Sequence, residues 1–243
     1  MRRIALVFIC LALACNAASV SSLAAGREYE YETSVQGEAL LTRWLGTEAE
    51  PNIPEDLDGL PLTYIGEGAF KDSTTIESLR LPNGVLGIGP LAFYNCSALK
   101  YLTLPGTLEE IGDFAFAYCA SLQAIALPEG VQRIGEYAFG DCTALTAAII
   151  PASVIHIGLD AFFGATAGFR LYGSEGSAAQ EYAMENGIPF GPLEDAPPME
   201  MEKVASEETS VSGEGNLDDE IVVESNESNK ESGIEVLEQG ASI

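Results

Sequence analysis

Apolar residues fall along this chain in a rhythm that restarts every 23 positions between Ile65 and Phe162. Ile65-Gly66 with Ala69-Phe70 recurs as Ile88-Gly89/Ala92-Phe93, Ile111-Gly112/Ala115-Phe116, Ile134-Gly135/Ala138-Phe139 and Ile157-Gly158/Ala161-Phe162. One copy reads Leu99-Lys100-Tyr101-Leu102-Thr103-Leu104-Pro105, then Leu108, Ile111, Gly112, Ala115, Phe116 and Cys119. Around Leu102 and Leu104 apolar and polar residues alternate, which predicts a strand with one face inward. Pro105 ends that strand because it has no N–H to give a neighbour. Leu108 and Ile111 predict a second short inward-facing segment, Gly112 a tight bend, and Ala115-Phe116 a small residue beside a large one on the far side.

A period of this length held through five copies predicts a solenoid, in which each turn packs only on its neighbours. No single turn can bury its own apolar face, whereas stacked turns share one core. Phe70, Phe93, Phe116, Phe139 and Phe162 should then form an internal row, with successive rings offset by about 5 Å, the usual separation of paired strands. Cys96, Cys119 and Cys142 are also one period apart and are expected as a ladder of buried free thiols.

The repeat L-x-x-L-x-L-P-x-x-V/L-x-x-I-G-x-x-A-F-x-x-C resembles the bacterial surface leucine-rich repeats of the BspA-like type, also seen in treponemal surface proteins. The resemblance covers residues 53 to 190. It implies a leucine-rich-repeat solenoid of short stacked parallel strands joined by irregular turns. It also implies an adhesin or protein-binding module, with a host extracellular-matrix protein as one class of partner.

The segments flanking the repeats read as signal, caps and tail. Residues 1–25 have the form of an export signal, Arg2-Arg3 followed by an apolar run too short to span a bilayer. Ala12-Leu13-Ala14-Cys15 resembles a relaxed lipobox that would lipidate Cys15, while small residues around Ala24 and Ala25 fit ordinary cleavage. Both routes stand. Residues 26–64 form an N-terminal cap and first irregular turn: two strands around Gln36-Gly37-Glu38 make a hairpin, and residues 58–62 carry an insertion relative to the regular spacing. The regular repeats run over 65–168. A C-terminal cap at 169–190 combines a last strand near Phe169–Tyr172 with a short helix over 177–186, stopped by Gly187, and Tyr182 plugs the open end. Residues 191–243 hold fifteen acidic residues against Lys203 and Lys230, half of the formal net charge of −26, and no aromatic residue. Such a composition cannot gather a core and is expected to be a disordered acidic tail.

The chemistry-bearing residues do not converge. His156 is the sole histidine and no C-x-x-C pair exists, so no zinc set assembles. There is no G-x-S-x-G elbow and no phosphate loop, and Glu109-Glu110, adjacent on a strand, point to opposite sides. The expectation is therefore no enzyme, no metal and no cofactor. Eleven basic residues against 37 acidic ones repel a phosphate backbone, which excludes nucleic acid as the partner. A membrane is reached only through a lipid at Cys15. The surface expected to meet a protein is the outward side of the first strand row: Arg80 with Ser78, Tyr101 and Thr103, Ala124 and Ala126, then Ala147 and Ile149. The sequence thus reads as an exported module that binds protein. It would sit on the outer or cytoplasmic membrane surface if lipidated, and be periplasmic or secreted otherwise. A structural or assembly role in the cell envelope is the first alternative, and an enzyme of unknown class the second.

Overall fold

The computed structural model describes residues 28–198. The expected export signal, Cys15 and the acidic segment beyond 198 lie outside the described residues.

The described residues form a stack of turns built on two rows of short parallel strands. The first row comprises β5 (Ser78–Arg80), β7 (Tyr101–Thr103), β9 (Ala124–Ala126), β11 (Ala147–Ile149), β13 (Arg170–Gly173) and β14 (Phe190–Pro192). The second comprises β4 (Leu60–Ile65), β6 (Gly87–Ile88), β8 (Glu110–Ile111), β10 (Arg133–Ile134) and β12 (His156–Ile157). Register follows the 23-residue period from β4 to β13, and the last step, from Leu171 to Phe190, spans 19 residues. Ile65, Ile88, Ile111, Ile134 and Ile157 are Cα partners in succession, as are Ile125, Ala148, Leu171 and Phe190. The first row divides into two sheets, β5–β7 and β9–β11–β13–β14.

The Ala-Phe segment has no strand geometry, yet it makes a third hydrogen-bonded row. The N–H groups of Gly68, Phe70 and Asp72 donate to the carbonyls of Pro90, Ala92 and Tyr94 one turn on. The same trio recurs as Leu91, Phe93 and Asn95 donating to Asp113, Ala115 and Ala117, and as Phe114, Phe116 and Tyr118 donating to Glu136, Ala138 and Gly140. The outer two members of each trio are left-handed, with φ of 58° and 59° at Leu91 and Asn95 and 57° and 62° at Phe114 and Tyr118. That backbone turns alternate N–H groups along the solenoid axis, so the Ala-Phe row and the second strand row tie the repeats together without a break, and the first row adds a third tie everywhere except between β7 and β9.

Between the rows lies a dry core. Phe93, Phe116 and Phe139 are fully buried, and the ring row runs Phe70–Phe93–Phe116–Phe139–Phe162 with centroids 4.7, 4.9, 5.2 and 5.3 Å apart and nearly parallel planes. The three cysteines are buried free thiols. Each donates to the carbonyl of the phenylalanine in the preceding turn: Cys96 to Phe70 at 3.1 Å, Cys119 to Phe93 at 3.3 Å and Cys142 to Phe116 at 3.2 Å. The contact with Cys96 and burial hold the Cys119 thiol well above the ordinary thiol range, and burial pushes Cys142 up to about 12. A thiol reagent at about pH 8 is expected to leave Cys96, Cys119 and Cys142 unmodified in the folded chain and to label all three after denaturation, since all three are buried out of its reach. Peptide mass mapping reads this directly.

The role expected of the Ile-Gly glycines is corrected. Gly112 is not among the positive-φ glycines. A Cβ placed on it would lie 2.7 Å from the backbone of Gly89 and Pro90 in the preceding turn. Gly135 and Gly158 meet the turn before them in the same way, at 2.5 and 2.4 Å. The glycine is therefore required by close approach between turns and not by a bend.

Both ends are closed by elements that continue the ring row and the hydrogen bonds. The hairpin β1 (Tyr29–Thr33) and β2 (Ala39–Trp44) turns at Gly37 with φ 79°. Strand β2 pairs with β4, Trp44 stacks on Phe70 at 5.8 Å, and the Trp44 N–H donates to the Ala69 carbonyl. The insertion at 58–62 is a second small hairpin, β3 (Asp56–Leu57) against the start of β4, with Asp58 and Gly59 both left-handed as a two-residue turn requires. Helix α1 (Ala178–Glu185) buries Ala179, Tyr182 and Ala183. The Tyr182 hydroxyl accepts the N–H of Phe162 at 3.3 Å, standing where the next turn's alanine carbonyl would be. Strand β14 carries the ordered chain past the boundary expected at residue 190: Tyr172 pairs with Gly191 and Gly173 with Pro192, followed by a 3-10 turn at Leu193–Asp195. Leu171, Tyr172 and Gly173 offered an open strand edge, and the segment at the start of the acidic stretch pairs with it.

Candidate functional site

The expected first-row surface exists, but it is shallower than alternation implies. Leu79, Leu102, Ile125 and Ala148 are buried, and their neighbours face outward. Arg80 is exposed, and Tyr101, Thr103, Ala124, Ala126 and Ile149 are half-buried. Ala147 departs from expectation, with an exposure of only 3%. Its methyl group is in register between Ala124 and Arg170, and a side chain that short does not rise above its neighbours. The row therefore presents Tyr101 and Arg80 at one end and Ile149 beside Tyr172 at the other. Lys100 and Glu77 form an ion pair at 2.7 Å beside its first strands.

The second row brings Tyr64, Gly87, Glu110, Arg133 and His156 into one line. The Tyr64 ring lies where a Gly87 side chain would be, and its hydroxyl donates to Glu110 Oε1 at 3.4 Å, two turns away. Burial raises the Glu110 carboxyl above its ordinary range, opposed by Arg133 and the Tyr64 hydrogen bond. Burial also raises the Tyr64 phenol, with Glu110 adding to it. This carboxylate and phenol hold each other across the intervening turn. His156 is exposed at the end of the line.

A depression of about 290 Å³ between the last turn and α1 is lined by Asp160, Phe163, Tyr182, Asn186 and Pro189 among others. Its phenol, Tyr182, is already engaged by the Phe162 N–H. Among the described residues no group of three metal-ligating side chains gathers. No described helix is long and apolar enough to cross a membrane.

The surface that the sequence reading missed flanks the Ala-Phe segments. Tyr94, Phe114, Tyr118, Tyr137 and Phe163 lie outside the core and touch one another across four turns. Ring centroids are 5.3 Å apart for Tyr94–Tyr118 and Phe114–Tyr137, 6.4 Å for Tyr118–Tyr137 and 5.9 Å for Tyr137–Phe163. Phe114, Tyr118 and Phe163 are 39%, 41% and 57% exposed. Tyr137 is the hub: its ring occupies the space over Gly140, and its hydroxyl donates to Asp141. That hydrogen bond, with some burial, holds the Tyr137 phenol above its ordinary range. The available signal was an aromatic residue at the varying positions just before or after Ala-Phe in successive copies. Attention to the invariant positions hides it, because these rings do not share one place in the repeat.

Stacked parallel strands, an aromatic core row and in-register 23-residue turns define a leucine-rich-repeat solenoid. The chain belongs to the BspA-type leucine-rich-repeat family: residues 59–168 match that repeat region in six copies. It is similar to the solved leucine-rich-repeat protein TpLRR of T. pallidum, with 32% identity over 60% of this chain and 69% of that one and a TM-score of 0.59. It is also similar to a leucine-rich-repeat protein from Bacteroides capillosus, with 30% identity over 50% of this chain and 92% of that one and a TM-score of 0.44. No protein with a curated function matches it.

Proposed function

We propose that this chain is a non-catalytic protein-binding module displayed at the bacterial cell surface or secreted, and that a host extracellular-matrix protein is the class of partner. The observation that carries the reading is a surface of aromatic and apolar side chains fixed on stacked turns, hydrogen-bonded without a break along the second strand row and the Ala-Phe row. A surface already held in one shape loses little freedom on association, so contact area converts more fully into affinity. The repeat family supports a binding role for such a surface. Tethering through a lipid on Cys15 would hold the module at the envelope, whereas cleavage near Ala25 would release it.

The first strand row is the proposed contact face, with Arg80, Tyr101, Thr103 and Ile149 meeting the partner. Ala124 and Ala126 allow close approach, and Ala147 serves beneath them as support. The test is surface plasmon resonance of the full mature chain over purified matrix proteins. Saturable binding is expected, weakened roughly 5- to 30-fold by Tyr101→Ala or Ile149→Ser, the scale of truncating a buried interface anchor. Absence of binding to every matrix protein, together with retention of the chain in an envelope assembly, would favour a structural role and sink the proposal.

A further inference from the structure

The exposed aromatic stripe is more than a decoration of the scaffold, because some of its rings stand on backbone that suits other residues. Phe114, Tyr137 and Tyr118 have φ of 57°, 52° and 62°. The left-handed region brings Cβ too close to the following carbonyl, which disfavours it for a bulky side chain. Other turns fill the same two places without a ring: Gly68, Leu91 and Asp160 at the first, and Asp72, Asn95, Asp141 and Gly164 at the second, all but Leu91 being residues that tolerate it. The fold needs the left-handed backbone there and has no need of a ring. A large side chain held in an unfavourable conformation, out of the core, points to a use on the surface.

Charge then selects the partner. Asp113 precedes Phe114, Glu136 precedes Tyr137, Asp141 accepts the Tyr137 hydroxyl, and Asp160 holds the equivalent of the Tyr137 place one turn later. The cations on the same side are engaged: Arg133 pairs with Asp113 at 3.4 Å, and Lys71 sits over the Tyr94 ring, 5.3 Å from its centroid. The Lys71 contact shows one end of the stripe receiving an ammonium in the manner of a cation–π pair. Beyond Tyr94 the rings of Phe114, Tyr118, Tyr137 and Phe163 continue with no such cation among the ring contacts of the described residues. A second copy of this chain, equally acidic, would be repelled from that surface.

We propose that the stripe formed by Phe114, Tyr118, Tyr137 and Phe163, edged by Glu136, Asp141 and Asp160, docks a basic segment of a protein partner. The arginine or lysine side chains of that segment would lie on the rings and face the carboxylates. This rests on the protein-binding reading and adds to it a second face and the chemistry of what that face takes. The rings supply short-range selectivity, and the acidic surroundings steer the encounter.

The test uses the full mature chain and a short synthetic peptide of alternating arginine and serine, titrated by calorimetry at about 0.15 M salt, where charges beyond roughly 8 Å are screened. The same peptide with citrulline in place of arginine is the neutral control, and maltoheptaose is the sugar control. The double variant Tyr118→Asn/Phe163→Ala removes two rings without altering net charge. Asn at 118 copies Asn95 one turn earlier, so the melting temperature should not fall through that change. The arginine peptide is expected to bind saturably, and the double variant to bind it about tenfold more weakly, the sum of two exposed cation–π contacts. Equal binding by the double variant would mean diffuse attraction to an acidic chain and would overturn the site. A preference for citrulline peptide or maltoheptaose would overturn the partner chemistry. Matrix-protein binding that survives in the double variant while the arginine peptide fails would remove this proposal and leave the first-row reading standing.

Discussion

Phe116→Ala is expected to lower the unfolding free energy by about 3–5 kcal/mol, the range for truncating a buried phenylalanine. Phe116 is fully buried, with Phe93 at 4.9 Å and 1° on one side and Phe139 at 5.2 Å and 5° on the other. Its removal leaves a hole bordered by flat rings that cannot swing in, because each is itself clamped in the row. The neighbouring turns are also fixed by the Phe116 N–H to the Ala138 carbonyl and the Cys142 thiol to the Phe116 carbonyl, so collapse around the cavity is resisted. Denaturant unfolding followed by far-ultraviolet circular dichroism measures the loss. In a structure of nearest-neighbour interfaces, loss at a central turn weakens two interfaces at once. A loss below about 1 kcal/mol, within the ordinary range for surface substitutions and their margins, would mean that the ring row is not the core it is taken to be.

Gly135→Ala is the second large effect, about 2–3 kcal/mol, the upper part of the range for overpacking. The added Cβ would lie 2.5 Å from the Asp113 amide nitrogen and 2.5 Å from the Gly112 carbonyl carbon. These are backbone atoms of the preceding turn and cannot rotate away as a side chain would. The two turns must separate locally, which strains the Gly135 N–H to Ile111 carbonyl bond at 2.8 Å. Gly106→Ala is the matched control: nothing lies within 4 Å of its Cβ position and its φ is not in the left-handed region. It should change stability by no more than about 0.5 kcal/mol. Similar losses in the two variants would show that the effect at Gly135 is not a collision with the preceding turn, since restricting the unfolded chain would by itself stabilise both.

The fold was legible because one number, the repeat period, fixes which residues become neighbours. Once Ile111 sits beside Ile88 and Ile134, the inward faces, the ring row and the thiol ladder follow. The hairpin at Gly37, the helix stopped by Gly187 and the plug at Tyr182 were legible for a different reason, since each carries local turn or cap chemistry. The glycine of the Ile-Gly pair was misread because a single chain segment does not reveal how near the adjacent turn comes. The third hydrogen-bonded row was hidden because left-handed residues leave no periodicity when Leu91, Phe114, Tyr137 and Asp160 all occupy the same place. Alternation named the outward residues of the first row correctly except that Ala147, too short to clear its neighbours, is buried. The aromatic stripe was not legible from the invariant positions. It arises from side chains at different places in different copies, which meet only after the turns are stacked.

The way the ends are closed has a consequence for how such a chain can change in length. Trp44 and Tyr182 supply the ring and the hydrogen-bonding group that a missing turn would have supplied, so each cap fits a generic turn and not one particular neighbour. Recombination between two misaligned copies in the coding sequence inserts or deletes whole turns and keeps both caps seated on a turn of the right shape. Insertions of other lengths keep the inward side chains in line only when the extra residues loop out, as the β3–β4 hairpin does. Length variation in this architecture is therefore quantised, and the surfaces along its side can be lengthened or shortened by gene rearrangement while the fold itself persists.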